Sequence, residues 1–222
     1  MPFAEIDEAI DAVSRGELVV VVDDEDRENE GDLIMAADLV TPERMAFMVR
    51  YTSGVICMPL EGDRLDELHI PLMVQNEENT EVQRTAFTVS VDYRHGTTTG
   101  ISAADRTATV RAMIDDASRP GDFARPGHIF PLRYRDGGVL KRAGHTEAAV
   151  DLARLAGCTA AGILAEVVND DGTMARLPQL EQFADEHGLV IVSIADLVRY
   201  RRRREKLIRR VSEARIPTQF GD

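Results

Sequence analysis

Cysteine is nearly absent from this chain. Cys57 and Cys158 are its two thiols, set in separate apolar contexts with no paired ligand motif. A disulfide framework and a zinc cluster are excluded, and each thiol reads as a small buried side chain. Long apolar runs are missing too: nothing approaches the roughly 20 residues of a membrane-crossing helix. The start, Met1-Pro2-Phe3-Ala4-Glu5-Ile6-Asp7, carries acids where a signal peptide carries basic and then apolar residues. The expectation is a cytoplasmic protein with no membrane partner. Positive charge is scarce except in residues 199–210, where eight basic residues face Glu205; that net +7 leaves −20 for the rest of a chain whose total is −13. So acidic a body repels nucleic-acid phosphate, and Tyr200 is the sole aromatic available for stacking in the basic stretch. No nucleic-acid partner is expected, and the stretch reads as a solvated helix end or linker.

What is present suffices for one domain, since 222 residues with 44% hydrophobic content can build a substantial core. Apolar residues at helical spacing (Phe3, Ile6, Ile10, Val13) end at Gly16, and residues 18–22 read as a strand buried on both faces, with 33–36 as its partner. Further strands fit residues 55–58, 87–91, 128–132, 162–168 and 189–194. Thr41-Pro42 and Ser102 open helices, the second over 103–117, and Thr146 is expected to cap a third over 147–156, whose apolar positions oppose Glu147, Asp151 and Arg154. This interleaving predicts a single α+β domain of three-layer, α/β type, with a mixed β-sheet flanked by helices. Residues 73–86 are polar and read as a loop able to act as a lid.

Between the first two strands lies Asp23-Asp24-Glu25-Asp26-Arg27-Glu28-Asn29-Glu30-Gly31-Asp32, seven carboxylates in ten residues. Crowded carboxylates repel, and a hard divalent ion with oxygen ligands is the natural compensation. An EF-hand fails in both registers: from Asp24 the Gly and terminal Glu positions hold Asn29 and Met35, and from Asp26 the terminal position holds Ala37. Arg27 adds a fork of donors suited to a carboxylate or sugar phosphate.

Other segments have two readings each. Lys141-Arg142-Ala143-Gly144-His145-Thr146 is either a capped turn or a phosphate cradle at a helix N-terminus. Glu166, inside an apolar run, is either a strand residue reaching solvent or a carboxylate with a perturbed pKa. His128, after Arg125-Pro126-Gly127, is a surface residue or a proton-handling group. Thr97-Thr98-Thr99-Gly100-Ile101-Ser102 supplies a cap and hydroxyls at another helix N-terminus.

Taken in order, the acidic run, Thr97-Thr98-Thr99-Gly100-Ile101-Ser102-Ala103-Ala104-Asp105-Arg106, Arg125-Pro126-Gly127-His128, Arg142-Ala143-Gly144-His145-Thr146-Glu147-Ala148 and Asn169-Asp170-Asp171-Gly172-Thr173-Met174-Ala175-Arg176 resemble the 3,4-dihydroxy-2-butanone 4-phosphate synthases of riboflavin biosynthesis. The resemblance implies a lyase that turns D-ribulose 5-phosphate into L-3,4-dihydroxy-2-butanone 4-phosphate and formate through an enediolate, with Mg2+ or Mn2+ as cofactor. It assigns metal binding to Glu28 and His145. Substrate binding falls to Arg27, Glu28, Asp32, Arg142, Ala143, Gly144, His145, Thr146 and Glu166, and catalysis to His128, Glu166 and Asp32, with Cys57 a secondary candidate. It also implies a homodimer with the site near the subunit interface. Ala143 departs from the two glycines that many relatives carry before the metal-binding histidine.

The competing readings are an ion-binding module without catalysis, which leaves Arg27, His145 and Glu166 without a role, and another metal-dependent phosphosugar enzyme, which releases no formate. The final residues, Arg210-Val211-Ser212-Glu213-Ala214-Arg215-Ile216-Pro217-Thr218-Gln219-Phe220-Gly221-Asp222, resemble the opening of a GTP cyclohydrolase II unit. Residues 1–201 are therefore expected to form the synthase domain and 202–222 a basic linker with the start of that truncated second unit, as in a bifunctional enzyme.

Overall fold

The two apolar runs flanking the acidic stretch become β1 (Val19–Val22) and β2 (Gly31–Ala36), paired antiparallel with Val21 opposite Asp32. Their side chains alternate between two cores. Val20, Val22, Leu33 and Met35 enter one, and Val19, Val21, Ile34 and Ala36 the other. Strands apolar on both faces need a helical layer on each side. The computed structural model, which describes residues 3–75 and 77–205, has those layers.

Five more strands, β3 (Cys57–Leu60), β4 (Val91–Tyr93), β5 (Phe123–Arg133), β6 (Gly162–Glu166) and β7 (Val190–Ser193), complete a mixed sheet in the order β4-β5-β3-β6-β2-β1-β7. β1–β7 and β3–β5 are parallel and the other neighbours antiparallel. Helices α2 (Pro42–Tyr51), α3 (Gly62–Glu67), α4 (Ala103–Ile114) and α6 (Leu177–His187) cover one face through Met45, Leu65, Val110 and Leu180. Helices α1 (Ile6–Ser14), α5 (His145–Leu155) and α7 (Ile194–Arg204) cover the other through Val13, Leu152 and Leu197. Each such fully buried side chain contributes about 1.5–3 kcal/mol.

Thr41 and Ser102 cap α2 and α4 as expected, accepting from the Arg44 and Asp105 backbone N–H groups at 3.3 and 3.0 Å. Four expectations change. Helix α5 starts at His145 with Gly144 as its extended cap, so Thr146 lies buried within the first turn instead of capping it. The strand expected at 87–91 is reduced to bridges Phe87↔Leu132 and Leu72↔Thr88 before β4 begins. Thr88 donates its N–H to the Pro131 carbonyl at 3.0 Å, and proline has no N–H to return, so the ladder cannot continue there. The polar side of α5 is not solvated: Glu147 and Asp151 are buried and paired with Arg142 and Arg201. The basic stretch is likewise solvated only in part, because Arg201 is buried and its guanidinium meets Asp151 at 2.5 Å; Asp151 also accepts from the Tyr134 hydroxyl at 3.0 Å. Removing one member of such a buried pair costs about 3–5 kcal/mol. Residues 206–222, and with them most of the expected linker and the cyclohydrolase-like segment, lie outside the described residues.

Candidate active site

Between β1 and β2 the acidic residues fold into a tight turn organised by Asp23. Its side chain, almost fully buried, accepts from the backbone N–H groups of Glu30 and Glu28 at 2.9 and 3.1 Å and from Arg27 Nη1 at 2.8 Å. Arg176 closes the turn from outside, its Nη1 donating to the carbonyls of Glu28, at 2.9 Å, and Asn29. Asn29 takes a left-handed φ of 54°, a conformation asparagine tolerates. Glu28 is thereby aimed inward, its Oε2 2.5 Å from Arg27 Nη1 and 3.6 Å from His145 Nδ1.

Pairing of β2 with β6 sets Asp32 directly opposite Glu166. Since Ile34, Ala36 and Leu164 pack under α5, strand alternation turns both carboxylates toward that helix. His145, its first residue, donates Nε2–H to the Val21 carbonyl at 3.1 Å, because a carbonyl can only accept. The other ring nitrogen, Nδ1, then faces Glu28 and, at 3.9 Å, Asp32. Asp32 is 2% exposed and its Oδ1 has no hydrogen-bond partner. These groups open on a cavity of about 180 Å3 that Arg27, Cys57, Arg142, Thr146 and Glu166 also line. Glu166 Oε2 accepts from the Ser53 hydroxyl at 2.7 Å, so its apolar strand ends in an anchored polar tip.

The electrostatics call for a cation. Burial, with Glu166, Glu28 and Glu30 around it, pushes the Asp32 carboxyl up to about 7 despite the nearby His145. Burial alone would lower His145, but Asp32, Glu28 and Asp23 overcome it and raise the imidazole to about 9. Glu28 is held below its ordinary range by the adjacent His145, against burial, with help from Arg27. The Cys57 thiol moves well upward through burial and the Glu166 and Asp32 charges, so it stays protonated and is no soft ligand.

The donor set fits a hard divalent ion. Asp23, Glu28 and His145 bring ligand atoms within 4.8 Å of one another. The three donors on Asp23 give it the task of holding the turn, which leaves Glu28 and His145 Nδ1 free to hold a metal. The Val21 carbonyl serves as the outer partner that fixes the ring's tautomer. The orphaned Asp32 Oδ1 marks the same place.

The start of α5 gathers donors of a kind that suits a phosphate-sized anion. Gly144 offers no side-chain cap and gives its own N–H to the Arg142 carbonyl at 2.9 Å, which leaves the N–H groups of His145 and Thr146 free at the start of α5. Arg142 leans over them, Nη1 donating to Glu147 at 2.7 Å and Nη2 to Thr85 Oγ1 at 3.0 Å. A Cβ at Gly144 would lie 2.4 Å from Arg142 Nη1 and 3.0 Å from Arg27 Nη2, so glycine is what lets the two guanidiniums approach. Ala143 is not among the positive-φ residues, and alanine fits its backbone without strain.

His128 is the expected residue that the chain does not bring to this cavity. It sits on β5, two strands from β6 in the sheet, 37% exposed at the side chain, with Nδ1 2.7 Å from Asp92 Oδ2 and its N–H donating to Asp92 Oδ1 at 2.9 Å. Gly127 permits that crossing: a Cβ there would lie 2.0 Å from the Val91 carbonyl carbon. The threonine-rich segment is spent on structure, Thr98 Oγ1 donating to Asp105 at 2.6 Å and Thr97 Oγ1 to the Tyr93 carbonyl at 2.5 Å. Sequence reasoning missed Asp23 and Arg176 as organisers of the acidic turn, Thr85 as a contact of Arg142, and Glu147. The signal available was the surplus of carboxylates itself, each of which needs a donor.

A family model described as 3,4-dihydroxy-2-butanone 4-phosphate synthase matches residues 7–200. A 3,4-dihydroxy-2-butanone 4-phosphate synthase of Agrobacterium fabrum is 64% identical over 200 residues, 90% of this chain and 93% of that protein. A chloroplastic bifunctional riboflavin biosynthesis protein of Arabidopsis thaliana is 62% identical over 219 residues, 99% of this chain but 40% of its own length. The chain thus spans less than half of that relative. A crystal structure of 3,4-dihydroxy-2-butanone 4-phosphate synthase in complex with two magnesium ions superposes with a TM-score of 0.87 at 44% identity, covering 91% of this chain and 98% of the other. Among the described residues no helix is long and apolar enough to cross a membrane. With the family model matched over residues 7–200, a relative 64% identical across most of both chains and the mixed sheet superposing over 91% of the chain, the protein belongs to the 3,4-dihydroxy-2-butanone 4-phosphate synthase family of riboflavin biosynthesis.

Proposed function

We propose that this chain converts D-ribulose 5-phosphate into L-3,4-dihydroxy-2-butanone 4-phosphate and formate, using magnesium or manganese held by Glu28 and His145. The observation that carries the reading is the buried Asp32, its Oδ1 unpartnered, opposite Glu166 and facing His145 Nδ1. When bound, the ion supplies Lewis-acid stabilisation of negative charge developing on neighbouring substrate oxygens.

The chain's own residues do the rest. Arg142, Arg27 and the free N–H groups of His145 and Thr146 hold the phosphate and orient the sugar over the two carboxylates. Asp32 and Glu166 are the groups placed to move protons. One takes the proton from the carbon beside the ketone, giving the enediolate, and a proton goes to the departing C1 hydroxyl, which leaves as water. A skeletal shift follows, and water returns as C4 departs as formate, so atoms balance with no other reactant. Protonated Cys57 is part of the wall.

His128 stands outside this cavity. A homodimer in which one protomer's His128 surface covers its partner's cavity would unite it with Asp32 and Glu166. We read the protein as cytoplasmic, and residues 1–201 as the synthase domain with 202–222 a linker toward a second unit, in line with the bifunctional relative that matches across 99% of the chain. The experiment is formate release from D-ribulose 5-phosphate by the purified chain with magnesium, with manganese and with chelator. Metal-dependent formate is the expected result, and folded, metal-loaded protein that releases none would overturn the proposal.

A further inference from the structure

Glu147 has no part in the chemistry above, yet it is 1% exposed in the first turn of α5 beside the proposed phosphate site. It receives Arg142 Nη1 at 2.7 Å and also a backbone N–H from Arg135. The carboxylate is therefore fixed both to its helix and to the connection after β5, and Arg142 docks on a rigid acceptor. The other end of that guanidinium meets Thr85 Oγ1 at 3.0 Å and the Gln83 carbonyl at 3.3 Å. At Gly144 an added Cβ would lie 3.0 Å from Glu147 Oε2 and 3.0 Å from Arg27 Nη2, so both arginines and Glu147 meet at one junction.

Two guanidiniums so close repel, and a buried carboxylate beside them offsets that repulsion. Arg142 also shares its cavity with Glu28, Glu30 and Glu81, any of which would capture a freely swinging guanidinium. Three of the five guanidinium N–H groups are taken by Glu147, Gln83 and Thr85, and the rigid plane must be held still for the remaining ones to meet a phosphate. We propose that Glu147 is a positioning residue that aims Arg142 at the substrate phosphate without touching the substrate, and so sets how strongly the phosphorylated sugar is held. This rests on the reading of Arg142 as a phosphate holder.

The test compares Glu147→Gln, Glu147→Asp and the control Arg142→Ala in the magnesium-loaded protein. KM and kcat for D-ribulose 5-phosphate, competitive inhibition by inorganic phosphate and the melting temperature are measured together. Glu147→Gln should raise both KM and the phosphate inhibition constant about tenfold, the loss of one well-aimed charge-assisted hydrogen bond, with kcat changed by less than about threefold. Glu147→Asp, which keeps the charge, should recover part of the loss. A merely structural role would lower the melting temperature and the active fraction while leaving KM and phosphate inhibition alone. If Arg142→Ala weakens phosphate and a folded Glu147→Gln does not, the positioning role is overturned while the phosphate reading stands. If Arg142→Ala leaves phosphate inhibition intact, the reading of Arg142 falls and the inference with it. Should Glu147→Gln fail to fold, Glu147→Asp decides, an intermediate rise in both constants supporting the role and wild-type values refuting it.

Discussion

Magnesium binding to the wild-type protein should release close to one proton at pH 7–8. In the metal-free fold His145 is raised to about 9 by Asp32, Glu28 and Asp23 acting against burial, so it is charged in that range. Its Nε2 proton is committed to the Val21 carbonyl, and the proton on Nδ1 is the one that a metal must displace. Apparent metal affinity should therefore rise about tenfold per pH unit between pH 7 and 9 and then level off. Isothermal titration in two buffers of different ionisation enthalpy reads both quantities. The same shift acts on stability. A histidine whose folded pKa is raised from 6.5 to about 9 contributes stability that is complete below about pH 6.5 and is lost as pH rises through 9. That contribution is about 3 kcal/mol, or a fall of roughly 5–10 °C in the melting temperature of the chelated protein. Asp32, raised from 3.8 to about 7, adds a loss of the same sign at lower pH. Proton-neutral metal binding with an affinity flat from pH 7 to 9 would refute Nδ1 as the ligand atom and the charge arrangement with it.

Three further outcomes follow from the site. Glu28→Gln keeps the shape of the turn but removes the charge an ion needs; formate release should fall more than about 100-fold with the melting temperature preserved, and near-normal turnover would remove Glu28 from the metal site. Co-expressed His145→Ala and His128→Ala chains test the shared site: if a partner supplies His128, half of the dimers are mixed and each has one intact site, restoring about a quarter of wild-type activity, whereas a site built within one chain stays at background. Cys57→Ala should keep turnover within about threefold and cost about 1 kcal/mol in denaturant melts, since a protonated thiol packs and does not react; loss of activity in folded protein would assign it chemistry.

Much of the fold could be read locally. Four consecutive valines and the run after Gly31 announce a strand pair, and Thr41 and Ser102 announce helix starts, because caps and apolar runs act within a few residues. The acidic turn, Arg142, Gly144 and His145 were legible as a site because their residue types are costly elsewhere. What the sequence could not show is pairing across distance. Nothing local says that Asp32 will face Glu166, that Val21 will lend a carbonyl to His145, or that Arg176 will close the acidic turn. Glu147 and Asp151 read only as positions opposite the apolar side of their helix, because a helical wheel gives the polar side, not whether Arg142 and Arg201 arrive to bury it. His128 was legible as a residue type suited to proton transfer, but its distance from the cavity depends on β3 inserting between β5 and β6.

Carbon-chain cleavage and simple sugar rearrangement are separated by D-ribulose 5-phosphate labelled with 13C at C4, followed by NMR with magnesium-loaded protein. If the cavity cleaves the carbon chain, the label appears in formate at the rate of substrate loss and chelation stops it. Label that stays in a five-carbon phosphosugar, or leaves in any other one-carbon fragment, would contradict that cleavage.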